Sequence, residues 1–256
     1  MQLRVILPLL LSAASLSLGA SVPKTWPAFN QTSTNTQVSA VPIGAIIDHC
    51  AIPGTIALTF DDGPYIYTAQ MLDTLAQRGA RATFFLNGRN KGSIDAFPDL
   101  VQRALAEGHQ LGSHTWNHPY LHTLDYPEIV AQMTELEAAF LRIVGVFPTY
   151  MRTPFLMFNG LVLTAMTDLG YHVIGASIDT KDYENDDPGR NWLSFEKFRT
   201  ELDAGGTIVL AHDVHANTVG ILVDNMLDEI EARGLQTVTV GECLGDPAEL
   251  WYRTKR

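Results

Sequence analysis

Only two of the 256 residues are cysteine, Cys50 and Cys243, so the chain holds neither a disulfide-dense binding module nor a cluster of thiolate metal ligands. Basic residues are also scarce. Lys and Arg number 17 against 28 Asp and Glu, a formal net charge of −11, and a chain this acidic is a poor partner for nucleic acid. After the N-terminus no stretch approaches the roughly 20 uninterrupted apolar residues of a membrane span. The C-terminal Trp251–Arg256 is polar and basic, unlike the hydrophobic tail of a lipid-anchor signal, so no membrane anchor is expected. No internal repeat or linker divides the rest. One domain with a substantial core, working as a monomer, is the simplest expectation.

The one early apolar run, Val5 to Leu11, follows Arg4 and ends in Leu18-Gly19-Ala20. It reads as a secretory signal over residues 1–20, whose removal with Arg4 takes the charge to −12. Residues 21–49 form a polar lead-in, and its Asn30-Gln31-Thr32 is a glycosylation sequon in a Ser/Thr/Asn-rich stretch. Residues 50–256 are then expected to form the one folded domain. The protein is expected to be secreted, to the extracellular space or the cell wall. In an oxidising compartment two cysteines at opposite ends of a domain most simply make one bridge, Cys50–Cys243.

Thr59-Phe60-Asp61-Asp62-Gly63-Pro64 sets two adjacent carboxylates where an apolar strand runs into a Gly-Pro break. Neighbouring side chains of a regular strand point to opposite faces, so both acids share one site only where the strand stops. Such a pair can divide its labour, one carboxylate holding a metal and the other taking a proton from water. An ordinary acidic turn would look the same.

Further branched and aromatic runs predict strands at Thr55–Phe60, Ala82–Leu86, His109–His114, Tyr150–Arg152, His172–Ile178, Thr207–His212 and Thr237–Val240. Between them, helical periodicity marks Ala69–Gln77, Pro98–Ala106, Pro127–Val144, Gly160–Leu169, Ser194–Leu202 and Val219–Ala232. This alternation builds a parallel sheet, open or closed. The polar candidates Asp61-Asp62, His114, Arg152, Asp179 and His212-Asp213 all fall where predicted strands finish, the catalytic end of α/β barrels.

His114-Thr115-Trp116-Asn117-His118 spaces two imidazoles so that one tight turn brings both to a cation, and a nearby Asp completes three ligands with a position left open. Arg152-Thr153-Pro154-Phe155 carries a guanidinium fork able to fix a carboxylate; a surface salt bridge would use the same residue. Asp179-Thr180-Lys181-Asp182-Tyr183 and Leu210-Ala211-His212-Asp213 add acids and a third histidine. Each of these segments alone also fits a capped turn or a hydrogen-bonded loop.

In this order the five segments resemble the motif set of the polysaccharide deacetylases, the NodB-like domains of carbohydrate esterase family four. The resemblance runs from Cys50 to about Cys243. With Cys50–Gly54 and Ala82-Thr83-Phe84-Phe85-Leu86-Asn87-Gly88, the chain is most similar to fungal chitin deacetylases. The resemblance implies an α/β fold, a distorted (β/α) barrel of about seven parallel strands in a single domain. It implies zinc, or another divalent first-row ion such as cobalt(II), held by Asp62, His114 and His118. Asp61 would be the general base, oriented by Arg152, and His212 the acid, kept cationic by Asp182 or Asp179. The backbone N–H of Phe155 would stabilise the oxyanion and Leu210 line the acetyl-methyl pocket. Tyr183 stands where the family usually has Trp, which narrows the aromatic wall of the groove.

The implied activity is removal of N-acetyl groups from chitin or chitooligosaccharides. Competing readings are an acetylxylan esterase, a peptidoglycan deacetylase and a non-catalytic carbohydrate-binding protein. Trp116, Tyr120, Phe158 and Trp192 are candidate sugar-stacking rings, with buried packing expected for most of them.

Overall fold

A computed structural model describes residues 41–256; the expected signal segment and Asn30 lie outside the described residues. Strands β1 (Ile46–Ile47), β2 (Thr55–Asp61), β3 (Thr83–Leu86), β4 (Gln110–Ser113), β6 (Tyr150–Met151), β7 (His172–Ile174), β8 (Ile178–Asp179), β9 (Ile208–His212) and β10 (Gln236–Val238) form one sheet in which every pairing is parallel. A separate antiparallel pair joins β5 (Phe147–Pro148) to β11 (Tyr252–Arg253). The strand order is β1-β7-β6-β4-β3-β2-β9-β8, with β10 also on β2.

The run His172–Ile178, expected to be one strand, is two. Its first half pairs with β6 and its second with β9, at opposite ends of that order, so three residues, 175–177, close the sheet into a barrel. The break follows from Gly175 and Ser177. Gly175 N–H reaches back to Ile47 O at 2.7 Å, whereas Ser177 N–H already donates to Ile208 O at 3.0 Å. The distorted barrel expected from the motif set is therefore present, with β1 added at its edge.

Alternate residues of β2 face opposite ways. Ile56, Leu58 and Phe60 join the cluster that packs under the helices, while Ala57 faces the barrel interior with Phe85, Tyr150 and Ile208. The helices are α1 (Thr68–Gln77), α2 (Pro98–Ala106), α3 (Tyr126–Val144), α4 (Gly160–Leu169), α5 (Asn191–Asp203), α6 (Val223–Ala232) and α7 (Val240–Cys243). In α3, Asp125 and Glu128 form a reciprocal capping box and Gly145 ends the helix at φ 76°. The buried stripe Ile129, Met133, Leu136 and Phe140 recurs at helical spacing.

Two expected boundaries shift for local reasons. Val240 leaves the predicted last strand because Thr239 and Glu242 cap α7 reciprocally. The helix expected from Val219 begins as a π turn, Thr218–Leu222, before α6. Cys50 and Cys243 are bonded, with Cα atoms 4.9 Å apart across 193 residues. Cys50 N–H donates to Thr207 Oγ1, so the bridge sits where strands begin, at the end remote from the carboxylates.

Candidate active site

Asp61 is the last residue of β2, and its register partner on β9 is His212. The sheet itself therefore sets the two groups side by side. Asp61 is buried with Arg152, which follows β6 and has no exposed surface. One guanidinium nitrogen donates to Asp61 Oδ1 at 2.9 Å and to Thr59 Oγ1; the others reach Ile174 O at 3.3 Å and Gly175 O at 2.7 Å. The guanidinium also lies 4.5 Å over the Phe85 ring. Four donors committed in this way leave Arg152 one orientation, and the pair neutralises a charge that would be costly to bury alone.

Asp62 turns out of the strand at φ 75°, and this left-handed step sends its carboxylate to the same side as Asp61. His114 follows β4. Its Nδ1 lies 2.8 Å from Arg152 O, a contact in which Nδ1–H donates, so the Nε2 lone pair is free to ligate. The loop then turns tightly, with Thr115 and His118 both at positive φ and His118 N–H donating to Thr115 Oγ1 at 3.1 Å. His118 Nε2 comes within 3.3 Å of Asp62 Oδ1, and His114 Nε2 within 3.8 Å. One ligand atom from each of the three residues lies within 4.8 Å of the other two. Burial and the neighbouring His114 lower the His118 pKa to about 4, so the ring is neutral at pH 7, as a ligand must be. Two imidazoles and a carboxylate fit a divalent first-row cation with coordination positions to spare.

His212 Nδ1 is 2.8 Å from Asp182 Oδ1, and His212 N–H donates to Asp182 Oδ2 at 2.7 Å. Burial lowers the His212 pKa, but the Asp182 charge and hydrogen bond, with Asp61 and Asp62 nearby, outweigh it and lift the value to about 9. Asp182 itself is held below the ordinary carboxylate value: burial opposes this, and His212 and the Thr218 hydroxyl outweigh it. Asp179, the other acid considered for this role, does not touch His212. Its carboxylate accepts from Lys181 N–H at 3.1 Å and Tyr183 O–H at 3.1 Å, and pairs with Lys181 Nζ at 3.2 Å. Tyr183 is exposed and sets its ring edge-on to His212, 5.3 Å between centroids.

Leu210 is buried two residues before His212, on the same face of β9. Phe155 is exposed at φ 60°, and its ring lies 4.6 Å from His118 and stacks on Tyr120 at 4.0 Å and 14°. The expectation of buried packing for the four candidate rings holds for Trp116, which packs on the core. It fails for Tyr120, Phe158 and Trp192, which are exposed: Tyr120 and Phe158 lie on loops, and Trp192 sits on the solvent side of the first turn of α5.

Thr218 carried no signal in the sequence, and Asp213 was visible there only as a strand-end acid without a role. Thr218 O–H donates to Asp182 Oδ2 at 2.8 Å from the π turn, and no periodicity distinguishes that turn from α-helix. Asp213 is fully buried against the Asp61–Pro64 turn and accepts from the Thr68 hydroxyl. Burial, partly offset by that bond, raises its pKa to about 7. A Cβ on Gly63 would lie 2.6 Å from Asp213 Oδ1, so only glycine fits this approach.

A family model described as polysaccharide deacetylase matches residues 48–174. A chitin deacetylase of Pestalotiopsis sp is 53% identical over 216 residues, which cover 84% of this chain and 72% of the relative. A probable peptidoglycan-N-acetylglucosamine deacetylase of Arthroderma benhamiae is 50% identical over 221 residues; the match covers 86% of this chain but 51% of that longer protein. The solved structure of the chitin deacetylase from Colletotrichum lindemuthianum superposes with a TM-score of 0.82 at 46% identity, covering 84% of this chain and 98% of that one.

Proposed function

The chain belongs to the polysaccharide deacetylase family, and from that membership we propose a metal-dependent hydrolase that removes N-acetyl groups from chitin or chitooligosaccharides, releasing acetate. One observation carries the reading. Three residues able to hold a metal ion, Asp62, His114 and His118, stand beside an Arg-held carboxylate, Asp61, whose partner across the sheet is an Asp-held imidazole, His212.

Zinc, or another divalent ion such as cobalt(II), bound by those three residues would polarise the acetyl carbonyl and make water a better nucleophile. Asp61, fixed by Arg152, takes the proton of the attacking water. The Phe155 N–H is the donor offered to the developing oxyanion. His212, kept protonated by Asp182, gives its proton to the leaving amine. Leu210 supplies apolar surface for the acetyl methyl, and Tyr183 forms one wall of the groove. The exposed Tyr120–Phe155 stack beside His118 offers the flat apolar face on which a pyranose ring packs.

The Cys50–Cys243 bridge supports export to an oxidising compartment. No helix among the described residues is long and apolar enough to cross a membrane. The test is acetate release from chitin oligomers, peptidoglycan glycan and acetylated xylan side by side, with and without chelator. Chelation should abolish turnover, and chitin oligomers should be the best substrate. Faster turnover of acetylated xylan would replace the substrate assignment, and full activity in metal-free protein would remove the mechanism.

A further inference from the structure

Asn87 and Asn90 take no part in the proton transfers, yet the four residues from Asn87 to Asn90 touch both segments that carry the metal ligands. Asn87 N–H donates to Gly63 O at 2.9 Å, one residue from Asp62. The Asn87 side-chain amide donates to His114 O and, at 3.0 Å, to Thr115 O. Gly88 N–H and Arg89 N–H continue this ladder to Thr115 O and Trp116 O at 3.3 and 2.6 Å. The approach is close enough that a Cβ on Gly88 would lie 1.9 Å from the Trp116 ring. Finally, Asn90 Nδ2 donates to Asp62 Oδ1 at 2.8 Å and to Asn87 Oδ1 at 3.2 Å.

We propose that Asn87 and Asn90 form an amide brace that fixes Asp62 against the His114–His118 loop before any cation binds. Asp62 Oδ1, the oxygen that Asn90 holds, is also the one nearest His118 Nε2, at 3.3 Å. A carboxylate oxygen has two lone pairs, so the amide bond leaves one for the metal. Both amide nitrogens are fully engaged: each Nδ2 uses its two hydrogens, and Asn87 Oδ1 links the pair. Turning either amide over breaks two or more bonds. The brace also meets a need created by the backbone, because Asp62, Thr115 and His118 are all left-handed, a conformation that persists only where neighbouring structure imposes it. Asn87 and Asn90 are thus positioning residues that act through the ligands.

This inference rests on Asp62, His114 and His118 being the metal site, so zinc affinity of His114→Ala is measured first, by competition with a chromogenic chelator. Parental affinity in that variant would overturn the site and the brace together. With the site upheld, Asn90→Ala is expected to bind zinc roughly 10–100-fold more weakly. Because Asn90 is exposed, the melting temperature of the metal-free variant should match the parent's. The visible absorption of the cobalt(II)-loaded variant should change in position or intensity, a response that a merely structural residue would not give. Asn87→Ala should weaken zinc binding at least as much. The double variant should lose less than the product of the two single losses, since the residues share a bond. Parental zinc affinity and a parental cobalt spectrum in Asn90→Ala would overturn the brace, and so would multiplicative losses in the double variant.

Discussion

Where strands begin, the barrel's left-handed backbone positions are glycines, as at Gly108 before β4 and Gly170 before β7; where strands finish, they are Asp62, Thr115, His118, Phe155, Leu156 and Lys181. Glycine adopts positive φ without steric cost, whereas each of the other six carries on the order of 1–3 kcal/mol of strain. The first end also holds the Cys50–Cys243 bridge and the capping box of α7. The second holds the buried Asp61–Arg152 pair and three imidazoles. Stability is thus concentrated at one end and spent at the other. Substitutions at the strand ends should then cost rate, and substitutions at the strand starts should cost stability.

The largest expected effect lies with the proton-transfer groups. His212→Ala should lower N-deacetylation of chitin oligomers by about 10²–10⁴-fold, with a much smaller loss on an activated aryl acetate, whose alcohol leaves without help. Asp61→Asn should damage both reactions. Equal losses on both substrates in the His212 variant would mean that another group protonates the amine.

Next comes the opposite end. Replacing Cys50 and Cys243 together by alanine should cost about 2–5 kcal/mol of unfolding free energy, measured by denaturant titration. Turnover at 25 °C should stay within about twofold of the parent. If turnover fell in step with stability, the division of labour between the two ends would be wrong.

A smaller effect concerns pH. His212 must carry its proton to donate it, so the rate should hold up to about pH 9 and fall as pH rises through that value. Removing the Asp182 charge in Asp182→Asn should move this alkaline limb down toward 6.5, the ordinary imidazole value, a shift of one pH unit or more. In stability the sign is the same. The raised His212 pKa contributes fully below pH 6.5, as long as Asp182 stays ionised, and its contribution is lost as pH rises through about 9. An alkaline limb unmoved in Asp182→Asn would assign it to a different group.

The sequence exposed those parts of this design that repeat or that carry charge. Apolar runs between turn residues announced β2, β3, β4 and β9, and strand-end acids and histidines announced Asp61, Asp62, His114 and His212. Two-residue pairings such as β1, β5 and β11 are too short to show any period. The split of the expected strand His172–Ile178 depends on which neighbours each half finds, a tertiary choice that Gly175 and Ser177 do not announce by themselves. Asp182 and Asp179 looked alike in sequence. Only the fold reveals that Asp182 faces His212 and Asp179 faces Lys181 and Tyr183. No role for Asn87 or Asn90 shows in the sequence, because an amide is as common in a turn as in a brace.

The seam at residues 175–177 bears on any attempt to redesign this molecule. Regularising the barrel, with one unbroken strand in place of β7 and β8, would draw Ile174 O and Gly175 O into the sheet ladder. Those carbonyls now anchor Arg152. A guanidinium deprived of both would still be buried, with Asp61 and Thr59 as its remaining partners and with room to swing. The tidier scaffold would melt later and work worse, so the flaw in the sheet is the part a designer should leave alone.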